Sequence, residues 1–453
     1  MESYIFFHLG FLVRTLLSIF LIVLSCQSFS QVQEFQLNNG LKVLVKEDHR
    51  APIAVSMIWY NIGSADEPGG ITGVSHAIEH MMFKGTPKYP LGVFSKTIAA
   101  LGGQENAFTN NDYTAFFEKI DASHIATAFE LEADRMNNLL LDENEFNKEI
   151  KVIREERRMR TDDNPQALAF ERFLATAHLA APYNHPVIGW MTDLQQMQVK
   201  DLKHWYQTFY APNNATLVVV GDVQAEKIHA LAEQYFGALP KKSIPERKMQ
   251  KEPPALGAKS ITVNAPAKLP MLLIGYSVPS VKTAKYAWEP YALELIAAIL
   301  DAGESSRFAK NLVRGSHVAT GAEAYYNLYA KYSTQFIVFG APSENHKIKD
   351  IRQALLAQLE ELKKMPVSET ELQRIKNQII AQKTFEKDSL FGQAMELGLL
   401  ETNGIGWNHA NEYTEAMNKI TAQQIQQTAQ HYFQEYNQTQ AVLKPIQQSE
   451  VAS

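Results

Sequence analysis

Five consecutive positions concentrate the reactive side chains of this chain: His76-Ala77-Ile78-Glu79-His80. On a helix, residues four apart stand one turn apart on one face, so His76 and His80 are spaced to ligate one metal ion. Glu79, three residues after His76, falls at the edge of that face, where its carboxylate can take a proton from a water beside the metal. Val74, Ile78, Met81 and Met82 occupy the other side and would anchor the helix in a core. The chemistry implied is metal-assisted hydrolysis. Two imidazoles do not complete such a site, which needs a third protein ligand and one open position.

Carboxylates for that role are richest in the segment 145–160, where Glu149, Glu155 and Glu156 compete. Glu149 and Glu156 are two helical turns apart and share a stripe beside the packing residues Phe146, Ile150 and Ile153, whereas Glu155 is rotated by about 100°. One glutamate of the stripe could bind the metal and the other orient a histidine. Cysteine offers nothing here, because Cys26 is the single cysteine and excludes both a disulfide framework and a Cys-based zinc site. His124, His185, His204 and His431 have no partner at ligand spacing.

The elements that must hold these residues belong to a globular chain of 453 residues, 45% hydrophobic and 20% charged, values that exclude disordered and polytopic membrane classes. A net charge of −6 gives no electrostatic reason to expect nucleic acid as a partner. Residues 1–30 read as a secretory signal peptide: Arg14, then the apolar run Thr15 to Cys26, too short to span a bilayer, then Ser28-Phe29-Ser30 for cleavage. Val23-Leu24-Ser25-Cys26 also resembles a lipoprotein box, which would acylate Cys26 and supply the one membrane contact. The leader points to the bacterial cell envelope, chiefly the periplasm.

Residues 240–258, rich in proline and basic side chains, read as an exposed linker between a first unit at 31–239 and a second at 259–446. Two features recur about 225 residues apart. Asp142 and Ser368 each open a helix as a capping box with Glu145 or Glu371, and the aromatic pairs Phe209-Tyr210 and Tyr432-Phe433 each precede an extended apolar segment. This is the mark of a duplicated domain. Within a unit, strand-like runs such as Leu41 to Val45 and Ala54 to Tyr60 alternate with long helical segments. The fold class expected is α+β: two homologous sandwiches with helices layered on one face of a mixed, mostly antiparallel sheet.

The order H-x-x-E-H is the inverse of the better-known zinc-protease pentapeptide. The run His76-Ala77-Ile78-Glu79-His80-Met81-Met82-Phe83-Lys84-Gly85-Thr86 resembles the pitrilysin/insulinase (M16-type) metallopeptidases, which include bacterial members of about this length. Gly102 to Thr109, Asp163-Asn164-Pro165, His185 to Gly189 and Tyr210 to Ala215 match further motifs in the family's order, and the second unit matches more loosely at Ser305 to Phe308 and Leu312 to Arg314.

That resemblance implies Zn²⁺ held by His76, His80 and Glu156, with Glu79 as general base and Glu149 as the glutamate behind the ligands. It implies a zinc-dependent endopeptidase whose two halves face a chamber, with unfolded peptide substrates held by Asn106 and Ala107 along an edge strand. A processing peptidase, or a scaffold subunit with little activity of its own, is the competing reading. In the family the oxyanion is met by an arginine and a tyrosine from the half facing the zinc. Arg314 occupies the arginine position here, but Thr320 and Gly321 stand where the tyrosine would be. The expected partner is therefore a homologous zinc-less subunit in a heterodimer, with a homodimer as second choice.

Overall fold

The computed structural model describes residues 31–248 and 250–446; the leader and Cys26 lie outside the described residues. The first half contributes strands β1 (Gln33–Gln36), β2 (Lys42–Glu47), β3 (Ile53–Tyr60), β4 (Gln104–Thr109), β5 (Thr114–Asp121) and β6 (Ala215–Gly221). Its helices are α1 (Val74–Met81), α2 (Val93–Ala100), α3 (Ile125–Asn138), α4 (Glu143–Arg157), α5 (Pro165–Ala177), α6 (Met191–Gln196), α7 (Val199–Phe209) and α8 (Ala225–Phe236). The second half supplies β7 (Lys259–Ala265), β8 (Met271–Val278), β9 (Ala319–Tyr325), β10 (Thr334–Pro342) and β11 (Gln438–Pro445). Its helices are α9 (Glu289–Asp301), α10 (Ile348–Lys364), α11 (Glu369–Glu386), α12 (Leu390–Thr402), α13 (His409–Lys419) and α14 (Ala422–Tyr432).

The strands form two sheets, β1-β2-β6-β3-β5-β4 and β7-β11-β8-β10-β9. Without β1 the first has the order and sense of the second: β2 runs parallel to β6 as β7 does to β11, and the other pairs are antiparallel. The fold is thus two duplicated α/β units. β4 and β9 close equivalent edges.

Helices were expected on one face of each sheet, and both faces are covered. The inner strands β3 and β6 are buried along almost their whole length and mostly apolar, as suits strands covered on both sides. Val43, Val45, Ile58, Tyr60, Leu217 and Val219 meet the half's own helices, while Leu44, Val55, Met57, Trp59, Val218 and Val220 face Ala394 and Leu397 of α12, from the other half. In return α5 of the first half lays Ala169, Phe173 and Ala177 on Val263, Leu273, Ile337, Ala441 and Leu443 of the second sheet. Each half lends one helix to the other. The contact is close enough to require glycine on one side each time: a Cβ on Gly398 of α12 would fall 2.0 Å from the Trp59 ring, and one on Gly275 of β8 would fall 2.3 Å from the Phe173 ring.

Residues 240–248 and 250–258 have no regular structure, yet they are strapped down. Glu252 accepts the amides of Leu179, Ala180 and Ala181 at 2.8, 3.0 and 2.9 Å, and the Lys242 ammonium donates to the Tyr210 carbonyl at 2.7 Å. Between the halves, Asp112 in the β4–β5 turn accepts from the Tyr183 hydroxyl at 2.8 Å and from the Lys331 amide at 3.0 Å. The helix caps also depart from expectation in one detail. Asp142 and Ser368 cap α4 and α11 with their side chains, but the reciprocal bond of a capping box is replaced, because Glu145 pairs with Lys148 and Glu371 with Arg307.

Candidate active site

Helix α1 carries the pentapeptide, and its burial follows the sequence pattern. Val74, Ile78, Met81 and Met82 are buried in the first core, which turns His76 and His80 toward α4. Helix α4 lies against α1 through Phe146, Ile150 and Ile153 and presents Glu149 and Glu156 one above the other. Glu155 points away, exposed and ion-paired with Arg158 at 2.7 Å.

Glu156 Oε2 lies 3.3 Å from His80 Nε2 and 3.8 Å from His76 Nε2, and the ligand atoms of these three residues lie within 4.8 Å of one another. His80 Nδ1 sits 2.9 Å from Glu149 Oε1, a contact that holds a proton on Nδ1 and would leave Nε2 to serve as the ligand atom for a metal. Glu149 is held in turn by the Lys84 ammonium at 2.5 Å, and Glu156 Oε1 by Arg160 at 2.7 Å. His76 lacks such support among the described residues, where its buried Nδ1 has no hydrogen-bond partner. Two neutral-nitrogen donors and one carboxylate oxygen, with space between them, suit a divalent transition metal.

Charge follows the same geometry. Burial, with the His80 ring nearby, lowers the His76 pKa to about 4, which keeps its imidazole neutral. Burial also acts against charge on His80, but the Glu156 and Glu149 carboxylates outweigh it and raise the pKa. Glu156 is lowered, first by its bond to His80. Glu79, half-buried on the rim, is raised by burial although the Thr109 hydroxyl, 2.5 Å from its Oε2, works the other way. A carboxylate of raised basicity with one oxygen free is equipped to accept a proton.

Thr109 ends the edge strand β4 and ties it to Glu79. Among the described residues β4 pairs with β5 alone, so its other edge carries no strand. Asn106 and Ala107 lie in this strand, with Asn106 Oδ1 accepting the Ala107 amide at 2.9 Å. Arg314 is not brought to the histidines: it sits on the wide-turn helix Phe308–Gly315 of the second half and is engaged by Glu304. Of the nearby tyrosines, Tyr326 donates to the Pro279 carbonyl at 2.6 Å and Tyr325 is half exposed at the end of β9. Sequence reading missed the supporting roles of Lys84, Thr109 and Arg160; Arg160 sits four residues from Glu156, a spacing that could have exposed it, whereas Lys84 lies past the end of α1.

Residues 42–189 match the family described as Insulinase (Peptidase family M16), and residues 196–379 match Peptidase M16 inactive domain. The zinc protease PqqE of Helicobacter pylori is 32% identical over 418 residues, 90% of this chain and 92% of that one. The chain belongs to the M16 peptidase family. A crystal structure of a protease from Helicobacter pylori shares the fold at a TM-score of 0.87 and 30% identity, covering 92% of this chain and all of that one. The mitochondrial-processing peptidase subunit beta of Lentinula edodes is 24% identical over 408 residues, 87% of this chain and 86% of that one. His76, Glu79, His80, Glu149 and Glu156 fall in the segment matching the M16 peptidase domain, and Arg314 falls in the segment matching the inactive domain.

Proposed function

We propose that this M16 protein is a zinc-dependent endopeptidase of the bacterial cell envelope that cleaves unfolded peptides. The observation that carries the reading is the convergence of His76, His80 and Glu156 within 4.8 Å, with Glu79 beside them on the same helix. His76, His80 and Glu156 would hold the zinc ion, whose Lewis acidity, when bound, activates water and polarises the scissile carbonyl. Glu149, fixed by Lys84, keeps the His80 ring in the tautomer that offers Nε2. Glu79 takes the proton of the attacking water at Oε1, since Oε2 is bound to Thr109, and returns it to the leaving amine. An extended peptide adds to the open edge of β4, with Asn106 and Ala107 meeting its backbone. Thr109 would then link the docked strand to the base.

Full activity calls for a second chain. Arg314 is engaged by Glu304 and Tyr326 by the Pro279 carbonyl, so among the described residues neither stands ready as an oxyanion donor. A homologous zinc-less subunit would supply them, and a homodimer is the alternative. The relative named as a subunit beta supports such pairing. The envelope location rests on the leader at residues 1–30. Among the described residues no helix is long and apolar enough to cross a membrane.

The test is Glu79→Gln. It should keep one zinc per chain and lose at least about a hundredfold in peptide hydrolysis, because an amide cannot accept the proton. A variant as active as wild type would refute the mechanism.

A further inference from the structure

The helix that bears both histidines begins without a cap of its own. Its N-cap residue is Gly73, at φ 90°, which has no side chain to satisfy the amides of the first turn. Those amides are met from a distance. Glu67 Oε2 accepts the Gly73 amide at 2.6 Å and Oε1 accepts the Ser75 amide at 2.8 Å, so one buried carboxylate spans the helix terminus with both oxygens. Among the described residues Glu67 has no ion-pair partner, whereas its neighbour Asp66 is paired with Arg247 at 3.4 Å. Burial pushes the Glu67 carboxyl up to about 8, while the Ser75 and Gly73 amides and the Ser75 side chain pull it back down, and the group faces the positive end of the helix dipole.

The approach leaves no slack. A Cβ on Gly73 would fall 2.4 Å from the Ile188 carbonyl oxygen, so a side-chain cap cannot be placed at this position without moving the neighbouring loop. The loop before Gly73 is fixed separately by Asp193, which accepts the Thr72 hydroxyl at 2.6 Å and the Thr72 amide at 3.1 Å. Asp193 therefore holds the loop, and Glu67 holds the helix.

We infer that Glu67 is a positioning residue of this site: by capping α1 through Gly73 and Ser75 it fixes His76, one residue further on, for metal binding and turnover. His76 depends on this more than His80 does, because among the described residues its Nδ1 finds no partner while His80 is held by Glu149. With the cap lost, the first turn of α1 frays, and the ligand nearest the terminus is displaced first.

The inference rests on the zinc-peptidase reading, and the experiment separates the two. Apo protein is titrated with zinc against a competing chelator, and melting temperature and steady-state hydrolysis of an unstructured peptide are measured on the same samples. Glu67→Gln should weaken zinc binding by at least about tenfold and lower kcat by a similar factor with KM within about twofold of wild type. Glu67→Asp, which keeps the carboxyl group but is one bond shorter, should fall between, and Asp193→Asn should lower the melting temperature while leaving zinc affinity within about threefold. A folded Glu67→Gln protein with wild-type zinc affinity and kcat overturns the inference; if that variant does not fold, unchanged zinc affinity in Glu67→Asp overturns it equally. A wild-type protein that binds no zinc would instead remove the parent reading.

Discussion

Gly398→Ala is the sharpest probe of how the two halves are joined. The added Cβ would stand 2.0 Å from Trp59 Cε2 and 2.2 Å from Nε1, and the indole it meets is fully buried and rigid. Overpacking of this kind costs about 1–3 kcal/mol, and the severity of the contact places it at the upper end. Alanine regains about 1 kcal/mol of helix propensity over glycine, which leaves a net loss near 2 kcal/mol. Trp59→Phe alone should be close to neutral: it gives up about 1–2 kcal/mol of packing but removes a buried indole N–H that has no acceptor, an orphan worth about 1–3 kcal/mol. In the double variant the smaller ring leaves room for the methyl group. Urea unfolding of the four proteins should show a coupling of at least about 1 kcal/mol, with the double variant more stable than Gly398→Ala. Additive effects, or a Gly398→Ala protein stabilised by propensity alone, would show that α12 does not press on the first sheet. At the equivalent place in the second sheet the roles are exchanged, with Gly275 on the strand and Phe173 on the helix, so Gly275→Ala should be rescued by Phe173→Leu.

Glu156→Gln should lose zinc to a mild chelator and Glu155→Gln should not, because only Glu156 faces the two imidazoles; sensitivity at Glu155 alone would contradict the phase of α4. Lys84→Met releases Glu149, and with it the His80 ring, so turnover should fall by about three- to thirtyfold while most zinc is retained; metal analysis beside kinetics distinguishes this from loss of a ligand. Ala107→Pro removes an amide accepted by Asn106 on the open edge of β4 and should raise KM several-fold with little change in melting temperature, and an unchanged KM would argue against docking along this strand. The isolated chain should cleave peptides slowly, and a homologous subunit that contributes arginine and tyrosine should raise the rate at least about tenfold; full activity in the monomer that Tyr325→Phe abolishes would show a self-sufficient site.

Much of the site could be read from periodicity. The i, i+4 histidines and the Glu149/Glu156 stripe each sit on a helix with a clear apolar face, so sequence alone set their orientation toward or away from a core. The duplication showed in repeated caps and aromatic pairs. The exchange of α5 and α12 did not, because Phe173 and Gly398 carry no signal of which sheet they cover. The largely apolar runs of β3 and β6 held the clue, since a sheet with one solvated face would alternate apolar and polar residues throughout. Glu67 was missed for a different reason. It lies in a Gly- and Pro-rich loop that reads as turn chemistry, and its task appears only once the chain folds back to bring the carboxylate to the amides of Gly73 and Ser75. Arg314 was placed by resemblance, and no local pattern foretold its pairing with Glu304.

Zinc-edge anomalous diffraction from zinc-loaded crystals tests the metal site most directly. One peak per chain is expected, about 2.0–2.2 Å from His76 Nε2, His80 Nε2 and a Glu156 carboxylate oxygen, with Glu149 hydrogen-bonded behind His80 and outside the coordination sphere. A peak that involves Glu155 or Glu149 in place of Glu156, or the absence of a peak between the two histidines at full zinc loading, would contradict it.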